Sequence, residues 1–181
     1  MKKIIAITSI VLAGFTAKAQ NANSTATQTV NLNLSNAIEL TFTGSGTATG
    51  AAVSLAFTTV NDYANGVESG AQQLKVRSNK AFGVTVKTNN ANFTYAGTTT
   101  PAPVMPVASV LDVKVSSNST GGTIAGTYSG YTDLSNTATT MISNGTYGGN
   151  QLFSVMYRAT PGFAYPAGTY TVDVVYTATQ N

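Results

Sequence analysis

Apolar and polar residues alternate one for one along most of this chain, and that period of two restricts it to β-strands. Val30, Leu32 and Leu34 alternate with Thr29, Asn31 and Asn33, and Ile38, Leu40 and Phe42 share one side of Ala37–Thr43. The pattern returns at Val53, Leu55 and Phe57, at Leu74 and Val76, and at Phe82, Val84 and Val86. Phe93 and Tyr95 suggest a short strand, and Val107–Val115 a longer one. Phe153, Val155 and Tyr157 line one face of Gln151–Ala159. The chain ends in "PAGTYTVDVVYTATQN", where Tyr170, Val172, Val174 and Tyr176 alternate with Thr171, Asp173, Val175 and Thr177. No helical period competes in residues 20–181. The expected fold is all-β: an antiparallel, immunoglobulin-like β-sandwich of eight or nine strands. The strands are too short and irregular for an outer-membrane barrel.

Turn chemistry separates the strands. "GSGTATG" at Gly44–Gly50 is a flexible turn, and Asn61–Gly70, with Asn65-Gly66 inside it, reads as a loop or short helical turn. Asn79-Lys80 is expected to close a hairpin between the Leu74 and Phe82 strands. Thr98–Pro106 is a Pro-rich connection or edge, since proline cannot donate to a ladder. Residues 116–150, rich in Gly, Ser, Thr and Asn, read as a long loop region holding one short strand or helix at Thr137–Ser143.

The first residues, "MKKIIAITSIVLAGFTAKAQ", have a charged start, an apolar run and an Ala-x-Ala ending. They are read as a secretory signal peptide at 1–19, leaving 20–181 as a single β-sandwich domain. The apolar run is too short to span a bilayer. Of the nine basic residues, Lys2, Lys3 and Lys18 leave with the signal, so six basic and six acidic residues remain. The formal charge of +3 thus falls to zero, which offers no basic surface for nucleic acid or anionic lipid. Lys75 and Arg77 share a strand face, read as solvated. The expected destination is outside the inner membrane: periplasm, outer-membrane surface or extracellular space.

With no His, Cys or Trp after the signal, general bases of the histidine type, thiol nucleophiles, zinc sites and a Ser-His-Asp triad are excluded. No two of the six acids show a spacing that demands a shared site, and Asp112 and Asp173 are expected to face solvent. Asn61, Asp62, Asn65 and Glu68 could offer oxygens to calcium, but turn and helix-cap roles explain the same residues. No catalytic, cofactor or metal site is therefore assigned, and the protein is read as non-enzymatic. Tyr128, Tyr131 and Tyr147 are candidate ligand contacts, because tyrosine joins a flat apolar face to a polar tip.

"LKVRSNKAFGVTVKTN", followed late by "LFSVMYRATPGFAYPAGTYTVDVVYTAT", resembles the layout of WxL-type domains among small exported β-sandwich proteins of bacterial cell surfaces. "AKAQ" at the cleavage site is similar to signals common in the Bacteroidetes. That resemblance implies attachment to cell-wall glycan, although the tryptophans that name the family have no counterpart here. The last strand also resembles that of chaperone–usher fimbrial subunits, with Gly168 at its start and Tyr176 near its end. That likeness implies self-association, or association with another surface subunit, through terminal strands. The strand-exchange candidates are Val30, Leu32 and Leu34 at one end, whose segment is otherwise expected as the first strand of the sandwich itself, and Gly168, Tyr170 and Tyr176 at the other. A structural or adhesive surface protein is the leading expectation, with a cell-wall glycan or carbohydrate-binding module as the alternative.

Overall fold

The computed structural model describes residues 22–181, and the expected signal peptide at 1–19 lies outside them. Two units are distinguished, with the boundary between Leu34 and Ser35. Within the first, residues 22–34 form no helix or strand. The second, Ser35–Asn181, carries all the helices and strands found among the described residues.

Twelve strands occur among the described residues: β1 (Ile38–Phe42), β2 (Val67–Glu68), β3 (Gln72–Ser78), β4 (Phe82–Thr88), β5 (Thr94–Ala96), β6 (Leu111–Asn118), β7 (Thr123–Ile124), β8 (Thr132–Asp133), β9 (Thr139–Gly145), β10 (Gly148–Ala159), β11 (Thr169–Thr171) and β12 (Val174–Gln180). All pairings are antiparallel. One sheet runs β1-β3-β10-β6-β8 with β2 also on β10, a second runs β12-β4-β9-β7, and β11 and β5 form a ribbon. The fold is the expected all-β antiparallel sandwich. Its single core joins Leu74, Val76, Val113, Phe153 and Val155 of the first sheet to Phe82, Val84, Val86 and Ile142 of the second. Strand alternation delivers these side chains inward, and each full burial contributes roughly 1.5–3 kcal/mol.

The expected hairpin at Asn79-Lys80 is not one. β3 and β4 lie in different sheets, so the chain crosses the core between them. Neither Asn79 nor Lys80 has positive φ, and a two-residue hairpin needs it. Instead Ser78 Oγ donates to the Lys80 carbonyl (2.7 Å) and accepts from the Lys80 N–H (3.2 Å). Asn79 binds outward, accepting from the Ala37 N–H (2.9 Å) and donating to the Ser35 carbonyl (2.7 Å). Gln180 Nε2 then donates to the Ala37 carbonyl, Ser78 Oγ and Asn79 Oδ1, tying the last strand to the same corner.

Three further expectations are corrected. Val53, Leu55 and Phe57 alternate but join no ladder; Leu55 and Phe57 pack on the core rim while Val53 stays exposed. The terminal strand is two strands with different partners, β5 and then β4. It breaks at Asp173, whose N–H donates to Asn89 Oδ1 (3.1 Å) while Asn89 Nδ2 donates to its carboxylate (2.8 Å). Residues 116–150 contain β7, β8, the whole of β9 and a 3-10 turn at Gly126–Ser129 rather than mainly loop. Asn118 organises the first bend, accepting from the Thr120 N–H and Oγ and donating to the Gly122 carbonyl. The Asn61–Gly70 stretch does turn helically: α1 (Val60–Asn65) opens on a capping box of Thr59 and Asp62.

Candidate functional site

Two strand edges lie open on one side of the sandwich. β1 pairs only with β3, and β12 only with β4. The edges are neighbours, because Phe42 of β1 meets Tyr176 of β12 edge-on at 6.3 Å and Gln180 reaches Ala37. Unpaired edges are templates for a further strand. Residues 22–34 supply a stretch with the right alternation. Val30, Leu32 and Leu34 are 74%, 82% and 87% exposed and belong to no strand, contrary to the expected first strand of the sandwich. Alternation makes a segment able to pair, but only a partner edge supplies the ladder that makes it a strand.

The C-terminal candidates separate. Tyr176 faces the core: its hydroxyl is 2.8 Å from that of Tyr157, and its ring lies against Phe153 at 6.4 Å. Burial holds its phenol well above the ordinary value of 10.0. Gly168 has a local reason to be glycine. A Cβ there would stand 2.3 Å from Cε2 of Tyr95, and one at Gly97 would stand 2.2 Å from the Tyr95 hydroxyl. The two glycines leave room for the Tyr95 ring, whose hydroxyl donates to the Ala167 carbonyl at 3.0 Å.

Tyr128, Tyr131 and Tyr147 occupy three different settings. Tyr128 is 2% exposed, seated in the core by the 3-10 turn, and presents no face to a ligand. Tyr131 lies against the outer side of the first sheet, with Lys114 Nζ 4.2 Å and Arg158 Cζ 4.5 Å from its ring centre. Its hydroxyl is buried without a hydrogen-bond partner, and burial, with Glu68 nearby, pushes it up to about 12. Asp112, expected at the surface, is buried beside it; Arg158 Nε and an Arg158 terminal nitrogen donate to its carboxylate at 3.2 and 2.7 Å. Asp133 is the register partner of Asp112, and its carboxyl titrates above the usual value because the two acids share a hydrogen bond. Only Tyr147 is open, beside a shallow concavity of about 490 Å³ that Ile38, Arg77 and Gly149 also line.

Asp62 is consumed by its helix. Its carboxylate accepts from the N–H groups of Thr59 (2.7 Å) and Thr58 (2.8 Å), which hold it below the usual carboxylate value. No three metal-ligating side chains converge among the described residues. Among them, too, no helix is long and apolar enough to cross a membrane.

A further surface escaped the sequence reading. Phe57, Tyr63 and Phe163 form one train of rings, at 5.3 Å and 5.3 Å, the second contact stacked at 22°. Tyr95, Tyr170 and Tyr165 form another, at 5.0 and 6.4 Å. The trains are joined through Phe163 and Tyr165, two residues apart in one turn. The available signal was "TPGFAYPAG": aromatic residues inside a Pro- and Gly-rich turn have no strand face to carry them into the core. Compared with known proteins, the chain matches no family model and no curated protein.

Proposed function

We propose that this protein is a non-enzymatic structural or adhesive subunit of a bacterial cell surface, associating with further copies or another subunit through terminal β-strands. One observation carries the reading: an alternating segment with three large apolar side chains in water stands in the same chain as two open strand edges. A segment of this kind adds to a neighbour's sheet by backbone ladder, and its alternate side chains fill pockets beneath. Burying Val30, Leu32 and Leu34 would contribute roughly 5–8 kcal/mol before ordering costs. Fixing the seven backbone residues of Gln28–Leu34 costs roughly 7–14 kcal/mol, as much or more, so association rests on the added ladder and depends on concentration.

Light scattering during size-exclusion chromatography tests this on residues 20–181 beside the chain beginning at Ser35. The longer chain is expected to form oligomers that grow with concentration, and the shorter to remain a folded monomer. A longer chain that stays monomeric at every concentration defeats the proposal.

A further inference from the structure

Rings from five separate segments gather in these two trains, one of them on the β5–β11 ribbon, and they are not packed away: Phe163 is 69% exposed, and Phe57, Tyr63, Tyr95, Tyr165 and Tyr170 are each half-buried. The surface is wide, apolar and rimmed with hydroxyls. Tyr95 and Tyr170 spend theirs on the Ala167 and Pro166 carbonyls, at 3.0 and 2.8 Å, which fixes both rings. The hydroxyls of Tyr63 and Tyr165 take no partner among the described residues. Tyr63 stacks on one side of Phe163, leaving the other side of that ring open.

Charge selects the partner. Both cation–ring contacts in the structure fall on Tyr131, not on any of these six rings. The acids closest to these rings in sequence are already engaged, Asp62 by the N–H groups of Thr58 and Thr59 and Asp173 by Asn89. An anionic or cationic ligand would thus lose its hydration here without gaining a counter-charge.

We infer that this strip binds an uncharged glycan, with the apolar face of a sugar ring laid on the open side of Phe163 and its hydroxyls bonded to the free Tyr63 and Tyr165 tips. The site does not use the Val30–Leu34 segment, on which the association proposed above rests.

Native affinity electrophoresis of residues 20–181 through gels holding hydroxyethylcellulose, galactomannan, glycogen or the anionic polymer alginate tests the inference. Retardation is expected in at least one neutral gel and not in alginate. Phe163→Ala, an exposed change with little bearing on folding, should weaken that retardation about tenfold. Tyr165→Phe, which removes only a hydroxyl, should weaken it less, and Tyr147→Ala not at all. No retardation in any neutral gel, equal retardation of the Phe163→Ala variant, or retention by alginate alone would overturn it. So would loss of oligomers rather than of glycan binding on Phe163→Ala, which would assign the strip to a second copy of the chain.

Discussion

Removing either hydroxyl of the Tyr157–Tyr176 pair is expected to destabilise the protein, and removing both is expected to restore most of the loss. The two oxygens are 2.8 Å apart and join the first sheet to the last strand of the second. Tyr157 is 8% exposed, so in a Tyr176→Phe variant its hydroxyl is left without a partner in an apolar setting. That costs about 1–3 kcal/mol, whereas replacing both partners by rings of the same shape is nearly neutral. For a chain this size each kcal/mol lowers Tm by roughly 3 °C, so each single variant should melt about 3–9 °C lower. Urea titrations followed by tyrosine fluorescence give the four stabilities, and a coupling of about 1–2 kcal/mol should emerge from the double-mutant cycle. Alkaline titration adds a second readout. Both phenols are raised above 10.0 by burial, Tyr176 the more, so the folded state favours their neutral forms. Their contribution is complete below the unfolded value and is lost as pH rises past it towards the folded one. The double Phe variant should therefore lose stability less steeply above pH 10 than the parent. Additive single-variant losses, or identical alkaline slopes, would refute the pairing.

Truncation to Ser35 should leave Tm within about 2 °C of the parent, because no strand lies in residues 22–34; a larger fall would show that the segment belongs to its own sandwich. Gly168→Ala should cost roughly 1–3 kcal/mol by driving a methyl into the Tyr95 ring, and less in a Tyr95→Leu background, both measured by thermal melting. Asp133→Asn relieves its repulsion with Asp112. The raised carboxyl of Asp133 favours the folded state only while protonated, and that help fades as pH rises above the unfolded value near 3.8. The variant should therefore melt above the parent at pH 7, with the gap closing towards pH 3.

Alternation told the faces of strands and was silent about their neighbours. Leu74 and Val76, Phe82 and Val84, and Phe153 and Val155 all point into the core as their spacing requires. Nothing in that spacing says that Leu74 and Phe82 belong to opposite sheets. The difference lies in the backbone of Asn79 and Lys80 and in their ties to Ala37 and Gln180, contacts far apart in sequence. Val53, Leu55 and Phe57 show the converse: a strand-like pattern makes a ladder only where an edge is offered. Met141 and Ile142 are both buried, although adjacent, because the register of β9 on β4 shifts beside them, and no period of two predicts that. Among the candidate surfaces, the terminal alternation was legible because it is local. The aromatic strip was not, because its rings come from residues 57, 63, 95, 163, 165 and 170 and meet only after folding.

No strand in this sandwich pairs with the strand next to it in sequence. Every ladder must therefore close a loop before it gains a hydrogen bond, which places folding in the slow, millisecond-to-second range of non-local topologies. The order of synthesis sharpens this. β10, the middle strand of the first sheet, and β12, the edge strand of the second, both lie in residues 148–180. A chain still missing that segment holds β3 and β6 without the strand that lies between them, so the first sheet cannot assemble early, whereas β4, β9 and β7 of the second can already pair. The first sheet's two halves, β1–β3 and β6–β8, therefore wait on the last residues, and their apolar faces are exposed to aggregation until β10 locks between them.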